Sequence, residues 1–454
     1  MNPNPLGLLD FGQQDLIVLP SLPPTLEILI CYGNRLTTLP ALPPMLEYLD
    51  CGNNPLTTLP ALPLFLNRLH CSNNQLTTLP ALPPTLEILS CADNQLTTLP
   101  ALPPMLEYLD CGNNPLIILP ALSPTIEHLD CQHNQLTDLP ALPPTLEVLK
   151  CSNNQLTDLH PLPLLLHNLF CSNNQLTTLP DLPVLEHLDC GNNSLTTLPD
   201  LSPILYFLYC NHNQLTTLPV LPPSLMFLRC NHNQLTALPD LPSSLNELHC
   251  NHNRLTTLPA LSPFLEELHC EHNRLTTLPT TILLYSLEVL YCNHNQLTIL
   301  PDLPPRVIEL HCEHNRLTAL PDLPPTLVYL DCQDNRLTTL PDLQNIETLL
   351  CRKNPLIPEA IRRAVACYER TGSQPEELAY WNQKLHDLTE GMYALMPHPV
   401  VSGREEDLEF NTPHHRVTGI PYLTRDIRSF LGGKTRRTRR KRRSRRSYNS
   451  RRRR

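Results

Sequence analysis

The chain of 454 residues contains no stretch approaching the ~18 consecutive apolar residues a membrane helix needs, so no transmembrane segment is expected. Met1 to Pro20 carries no basic segment leading into an uninterrupted apolar run, so no secretory leader is expected. Aromatic residues make up 5%, with a single tryptophan. No Ser/His/Asp set and no carboxylate pair stands apart from the repeating background, which leaves hydrolytic and acid–base chemistry without candidates. Three apparent motifs fail on spacing or context. His269-Cys270-Glu271-His272 is not H-E-x-x-H, and Gly433-Lys434-Thr435 lacks the glycine five residues upstream that a phosphate-binding loop requires. Asn192-Asn193-Ser194 is a lone glycosylation match in a chain without a secretion signal.

What the chain has in excess is period. Seventeen of its 18 cysteines recur at near-constant spacing, each followed three residues later by asparagine. The turn around Cys51 shows the unit: Leu46, Leu49, Cys51, Asn54, Leu56, Leu59, Pro60. In Tyr48-Leu49-Asp50-Cys51, strand alternation points Leu49 and Cys51 inward and Tyr48 and Asp50 outward. One turn cannot bury its leucines alone, so neighbours must stack around a shared core. Asn54 falls where the backbone bends after the strand. Its amide has two donors and an acceptor for turn peptides that burial would otherwise orphan.

The register holds from Leu6 to Leu356, with Phe11 and Gln14 replacing Cys and Asn in a degenerate first turn, as suits an end repeat. Regular 20-residue steps run to Cys171; the steps to Cys190 and Cys351 are one residue short, and the step to Cys292 is two long. Every irregularity falls in the proline-rich return, such as Thr57-Thr58-Leu59-Pro60-Ala61-Leu62-Pro63. Most of the 51 prolines sit there, favouring extended polyproline-II-like backbone and leaving no room for an α-helix. The expected fold is a solenoid over residues 1–356 with a curved parallel β-sheet on its concave side and an extended convex side. Eighteen strands at ~4.8 Å imply a sheet on the order of 80 Å along its stacking axis.

The inward cysteines behave as small hydrophobes, so a ladder of reduced thiols in a reducing cytoplasmic or nuclear interior is expected. Past Asn354 a short helical cap is predicted over 357–395. Pro358 opens a helix to about Arg370 with Ile361, Val365 and Tyr368 on one side and Gly372 as its stop. Ser373-Gln374-Pro375-Glu376 reads as a capping box ahead of a second helix striped by Leu378, Trp381, Leu385, Leu388 and Met392. Residues 396–433 are poorly defined, and 434–454 form an Arg-rich tail expected to be disordered. Of the 33 basic residues, 14 lie in that acid-free tail, leaving 19 against 43 acidic residues, a net of −24, in the body.

The L-x-x-L-x-C-x-x-N-x-L-x-x-L-P-x-L-P repeats, covering residues 6 to 356, resemble the leucine-rich repeats of bacterial type III effectors of the YopM and IpaH kind. The resemblance implies a parallel-sheet solenoid that holds protein partners inside a host cell. IpaH-type members add a ubiquitin-ligase domain with a catalytic cysteine in C-x-D. The counterpart here, Cys367-Tyr368-Glu369, has Glu for Asp, and the 103 residues after Cys351 are too few for that domain. Catalysis at Cys367 therefore stands as the alternative to a non-enzymatic scaffold. The Gly-Gly-Lys-Thr start and Arg-rich end of the tail resemble termini of proteins of large nucleocytoplasmic DNA viruses.

Outward strand positions supply the candidate partner-binding residues: Asp50, Asp110, Tyr209, Arg229, His249, His269, Tyr291 and His311 directly before cysteine, with Tyr48, Tyr108, Phe207 and Phe227 from the other outward slot. His249, His252, His269 and His272 are the candidates for a zinc or other divalent site, against a pH-sensitive solvated surface. No cofactor is expected. In the tail, Lys434, Arg436, Arg437, Arg439, Arg440, Lys441, Arg442 and Arg443 read as a nucleic-acid arm or a nuclear signal for an importin; the alternative is self-association with the acidic body.

Overall fold

The computed structural model describes residues 7–182, 184–280, 285–372 and 374–395. Eighteen three-residue strands, from β1 (Leu8–Asp10) to β18 (Thr348–Leu350), form one parallel sheet. Each strand pairs with the next in sequence and in constant register: Leu49 of β3 (Tyr48–Asp50) lies between Leu29 and Leu69. Every strand centre is a buried leucine. The flanking residues face away from the core, so the fold is the leucine-rich solenoid that the period predicts.

Behind each strand after the first the chain is held by its asparagine. The Asn54 amide donates to Cys31 O (3.0 Å), Cys51 O (3.2 Å) and Gly52 O (3.0 Å), while its Oδ1 accepts from Leu36 N (3.0 Å). Two of these four bonds reach back one turn, so the residue joins neighbouring repeats as well as closing its own. The same set recurs down to Asn354, whose amide reaches Cys332 O at 2.9 Å and whose Oδ1 takes Leu337 N at 3.0 Å. The irregular steps leave it unchanged. Asn295 still accepts from Leu275 N at 2.9 Å across the long step, and Asn193 from Leu176 N at 3.0 Å across the short one. Length variation is absorbed on the return side because nothing there is bound so tightly.

The residue before each asparagine adopts a left-handed conformation, with φ near 53° at Asn53, Asp93, His212 and His314. Asn, Asp and His are the non-glycine residues that enter this region most readily, and Gly33 fills the same slot at φ 66°. The return segments contain no helix among the described residues. They are stitched by hydroxyls: Thr85 Oγ1 donates to Leu64 O (2.8 Å) and Leu66 O (3.0 Å) of the preceding turn, and Thr125, Ser224 and Thr326 repeat the contact.

All eighteen cysteines are free and buried. Burial pushes the thiols of Cys71 and Cys151 up to about 12, so they pack as neutral groups. Helix α1 (Pro358–Thr371) closes the last strand with Ile361, Val365 and Tyr368 buried, and ends on Gly372 at φ 62°. Its Arg370 donates to Leu343 O, Gln344 O and Ile346 O, tying the cap to the last return segment. In α2 (Pro375–Leu395) Trp381 is buried and Leu378 and Leu385 pack against the core. Leu388, assigned above to the apolar stripe, is instead exposed, because α2 has run beyond what β18 and α1 cover. Ser373, the Met392 side chain, residues 396–433 and the tail 434–454 lie outside the described residues. No helix among those described is long and apolar enough to cross a membrane.

Replacing Asn174 with alanine removes donors to Cys151 O, Cys171 O and Ser172 O and the acceptor of Leu156 N, a set spanning two turns. The expected loss is about 1–3 kcal/mol, the penalty of leaving buried peptide groups unpaired, read as a lower urea midpoint. An unchanged midpoint would contradict the role assigned to this row.

Candidate interaction face

Strand alternation puts both flanking residues of every strand on one face, and the parallel register aligns them into rows. In the first half the rows are acidic and tyrosine-bearing. Asp50 accepts from Gly52 N at 3.1 Å, Tyr108 stacks on His128 with centroids 4.6 Å apart, and Lys150 meets Asp130 at 3.3 Å. The middle is apolar. Phe170 of β9 (Asn168–Phe170), His187 of β10 (His187–Asp189), Phe207 of β11 (Phe207–Tyr209) and Phe227 of β12 (Phe227–Arg229) follow one another at 4.6, 4.9 and 4.7 Å. Beside them the Arg229 guanidinium lies 4.9 Å from the Tyr209 ring and 3.6 Å from Glu247.

The second half carries a ladder of rings: His249 of β13 (Glu247–His249), His269 of β14 (Glu267–His269), Tyr291, His311 and Tyr329 stack at 4.1, 4.5, 4.1 and 4.6 Å. All twelve residues expected to bind a partner therefore lie on the strand face. Phe170, His187 and Lys150, which sequence reasoning left out, join them. Their slot was the available signal; each was passed over because it broke the runs of like residues on which the eye settles.

The histidine candidates for metal binding separate. His252 and His272 belong to the left-handed turn row, where six imidazoles from His212 to His314 stack at 4.1 to 4.2 Å. His249 and His269 belong to the strand face, and there Glu267 Oε2 stands 3.8 Å from His249 Nε2 and 3.7 Å from His269 Nε2. The turn separates the candidates: two residues past cysteine the backbone has already left the strand plane, so His249 and His269, not the turn pair, face Glu267.

Burial drives the face's titrations. Partial burial, with help from neighbouring cations, lowers His249 and His269 to about 4. In the slot after cysteine, Glu313 is raised to about 7, chiefly by burial, and Glu271 moves in the same direction. Cys367 is buried on α1, where Arg370 Nη2 approaches its Sγ at 3.4 Å. Burial raises its thiol although Arg370 works the other way, so the surroundings disfavour the thiolate. The basic residues Lys434 to Arg443 lie outside the described residues. Two open clefts, beside Leu162 and Leu164 and beside Thr137 and His160, lie on the return side and involve none of the strand-face rows.

Strand order, asparagine row and return side together define a leucine-rich repeat solenoid, and residues 124–164 and 165–203 match the family "Leucine Rich repeats (2 copies)". Among solved structures, YopM from Yersinia enterocolitica is 37% identical over 77% of this chain and 88% of its own, with a TM-score of 0.65. The leucine-rich effector YopM from Yersinia pestis is 38% identical over 73% and 88%, with a TM-score of 0.60. The functional domain of InlJ from Listeria monocytogenes, described as including a cysteine ladder, is 25% identical over 69% of each chain at a TM-score of 0.51. No curated protein matches by sequence. The chain belongs to the leucine-rich repeat family of which YopM is a member.

The two sets of shifted groups predict opposite pH dependences. His269 is neutral in the fold down to about 4, whereas its unfolded form takes up a proton near 6.5; acidification through that window favours unfolding. Replacing His269 with phenylalanine, as at Phe170, should move urea midpoints increasingly in the variant's favour as pH falls from 6.5 to about 4. Glu313 keeps its proton in the fold up to about 7 but loses it near 4.5 when unfolded. Glu313→Gln should accordingly gain on the parent as pH rises through that window. Parallel midpoint curves for either variant would show that burial does not set the group's charge.

Proposed function

We propose that this protein is a non-enzymatic scaffold that binds another protein on its strand face. The observation that carries the reading is the run Phe170, His187, Phe207 and Phe227, flanked by Arg229 stacked on Tyr209. Large, rigid rings and an arginine at the centre of a charged surface are what an interface uses as anchors. A short parallel sheet positions them with little conformational freedom left to lose on binding. The kinship with YopM supports the same reading, including action inside a host cell, where eighteen free thiols stay reduced. Ubiquitin transfer from Cys367 is disfavoured, because that thiol is both buried and raised in pKa.

The face variant Phe207→Asn with Phe227→Glu places residues already used in that slot, at Asn168 and Glu267, and should fold. It should lose about tenfold or more of the parent's affinity for a retained partner, as removal of central aromatic anchors does. Phe65→Thr, which puts Thr85's residue type into the same slot on the return side, should bind as the parent does. The reverse pattern would move the interface to the return side. A reducible ubiquitin adduct, formed from a charged conjugating enzyme and lost in Cys367→Ala, would overturn the non-enzymatic reading.

The tail is read as a nucleic-acid arm or a nuclear signal. Fourteen basic residues with one aromatic, Tyr448, neutralise phosphates but have little means to read bases. Binding should be sequence-tolerant and, with ~6–10 phosphates engaged, should weaken ~10³–10⁵-fold between about 50 and about 200 mM salt. Deleting residues 434–454 should abolish it and leave the repeats folded. Equal binding by the deletion at low salt would exclude the nucleic-acid arm and leave nuclear import, read from the location of a tail fusion, or self-association with the acidic body, read from cross-links of Lys434 or Lys441 to the strand face.

A further inference from the structure

We infer that His249, His269 and Glu267 form a binding site for a divalent transition ion of the zinc class on the strand face, bridging β13 and β14. The three donor atoms lie within 4.8 Å of one another. Glu267 Oε2 is nearly equidistant from the two Nε2 atoms, at 3.8 and 3.7 Å, distances too long for hydrogen bonds. His249 Nε2 is buried and has no hydrogen-bond partner among the described residues. A polar atom left so in a rigid strand row is costly unless something else occupies it.

The chemistry selects the ion. Two imidazoles and one carboxylate suit zinc and its neighbours, whereas calcium and magnesium prefer all-oxygen sets. At zinc–ligand distances of about 2.0–2.2 Å a tetrahedral site separates its donors by roughly 3.3 Å. Glu267 therefore has to approach each imidazole by about half an ångström, and the two rings, stacked at 4.1 Å, have to rotate so that their in-plane Nε2 lone pairs converge on the ion, both by side-chain torsion. Glu247, the equivalent carboxylate one strand back, is engaged by Arg229 at 3.6 Å, which leaves Glu267 as the available acid. The groups bearing on the site are Arg229, His311 and the carboxylates Glu247, Glu266 and Glu288. Their sum is negative and favours a cation. Elsewhere on the strand face no second pair of histidines adjoins in the slot before cysteine, because Arg229 and Tyr291 bracket this one. Three protein donors leave a fourth position open toward whatever covers the face.

The turn row of six histidines is the natural competitor, and the test separates the two. Full-length protein stripped of metal is titrated with zinc chloride by calorimetry, and with cobalt chloride to read the visible spectrum of a four-coordinate nitrogen–oxygen site. The parent should show one site tighter than the rest, with that spectrum. His249→Ser and Glu267→Asn, which install the residue types of Ser90 and Asn168 in the same slots, should weaken it ~10-fold or more. His252→Asn with His272→Asn should leave it intact, since asparagine already fills that turn slot at Asn153 and Asn173. The proposal fails if the tight site survives both strand-face substitutions, or if it disappears with the turn-row pair instead.

Discussion

The structure depends on one asparagine amide repeated in every turn after the first. A parallel strand of three residues makes too few bonds to define a turn, and the bend that follows it turns peptide groups toward a core of leucine and cysteine. Asparagine resolves this by taking three carbonyls and one N–H, split between its own turn and the one before. Because the bonds cross the repeat boundary, they carry register as well as closing the bend. This explains why inserted and deleted residues collect on the opposite side, where polyproline-like segments are held by hydroxyl contacts, local turn bonds such as Leu66 N to Pro63 O (3.2 Å) and packing. The array tolerates variation wherever the amide row does not pass.

A second constraint sits one residue earlier. The left-handed backbone there admits few side chains without strain, and the slot is filled by Gly, Asn, Asp, His and, at the two end turns, Gln13 and Lys353. The long run of histidines from His212 to His314 thus has a conformational cause before it has any chemical one. Its imidazoles stack because the repeat spacing brings rings to about 4.1 Å, and partial burial, with a smaller contribution from the neighbouring rings, lowers the proton affinity of His232, His252, His272 and His294. Nothing in the backbone demands histidine on the strand face. There His249 and His269 are side-chain choices that the backbone does not impose.

The scaffold separates stability from recognition. Core residues hardly vary from turn to turn, whereas the two outward slots change freely, since a side chain facing solvent is not called on to pack. One sheet can therefore carry aspartate- and tyrosine-bearing rows toward its start, an aromatic centre and an imidazole–glutamate stretch after it without altering a bond beneath them. The same freedom lets carboxylates such as Glu313 be half-buried at the edge of the face, where desolvation rather than pairing sets their charge.

The sequence by itself determined the strands, the inward leucines and cysteines, the role of asparagine, the unbroken register and the two closing helices. Each follows from a local pattern repeated often enough to be unambiguous, and the leucine-rich family resemblance rests on that same pattern. It also placed the outward residues, because alternation along a strand has only two outcomes. Only the tertiary structure decided which outward residues meet. That Glu267 lies between two imidazoles, that Arg229 takes Glu247 and so leaves it, and that Phe170 and His187 extend the run of Phe207 and Phe227 all depend on side-chain torsions across strands. The division of the histidines into strand and turn slots could be read from their places before and after cysteine; the ring stacking within each row could not. Periodicity reports where a residue stands in its own turn; contacts between turns are settled by rotamers, charge and burial, which spacing does not encode.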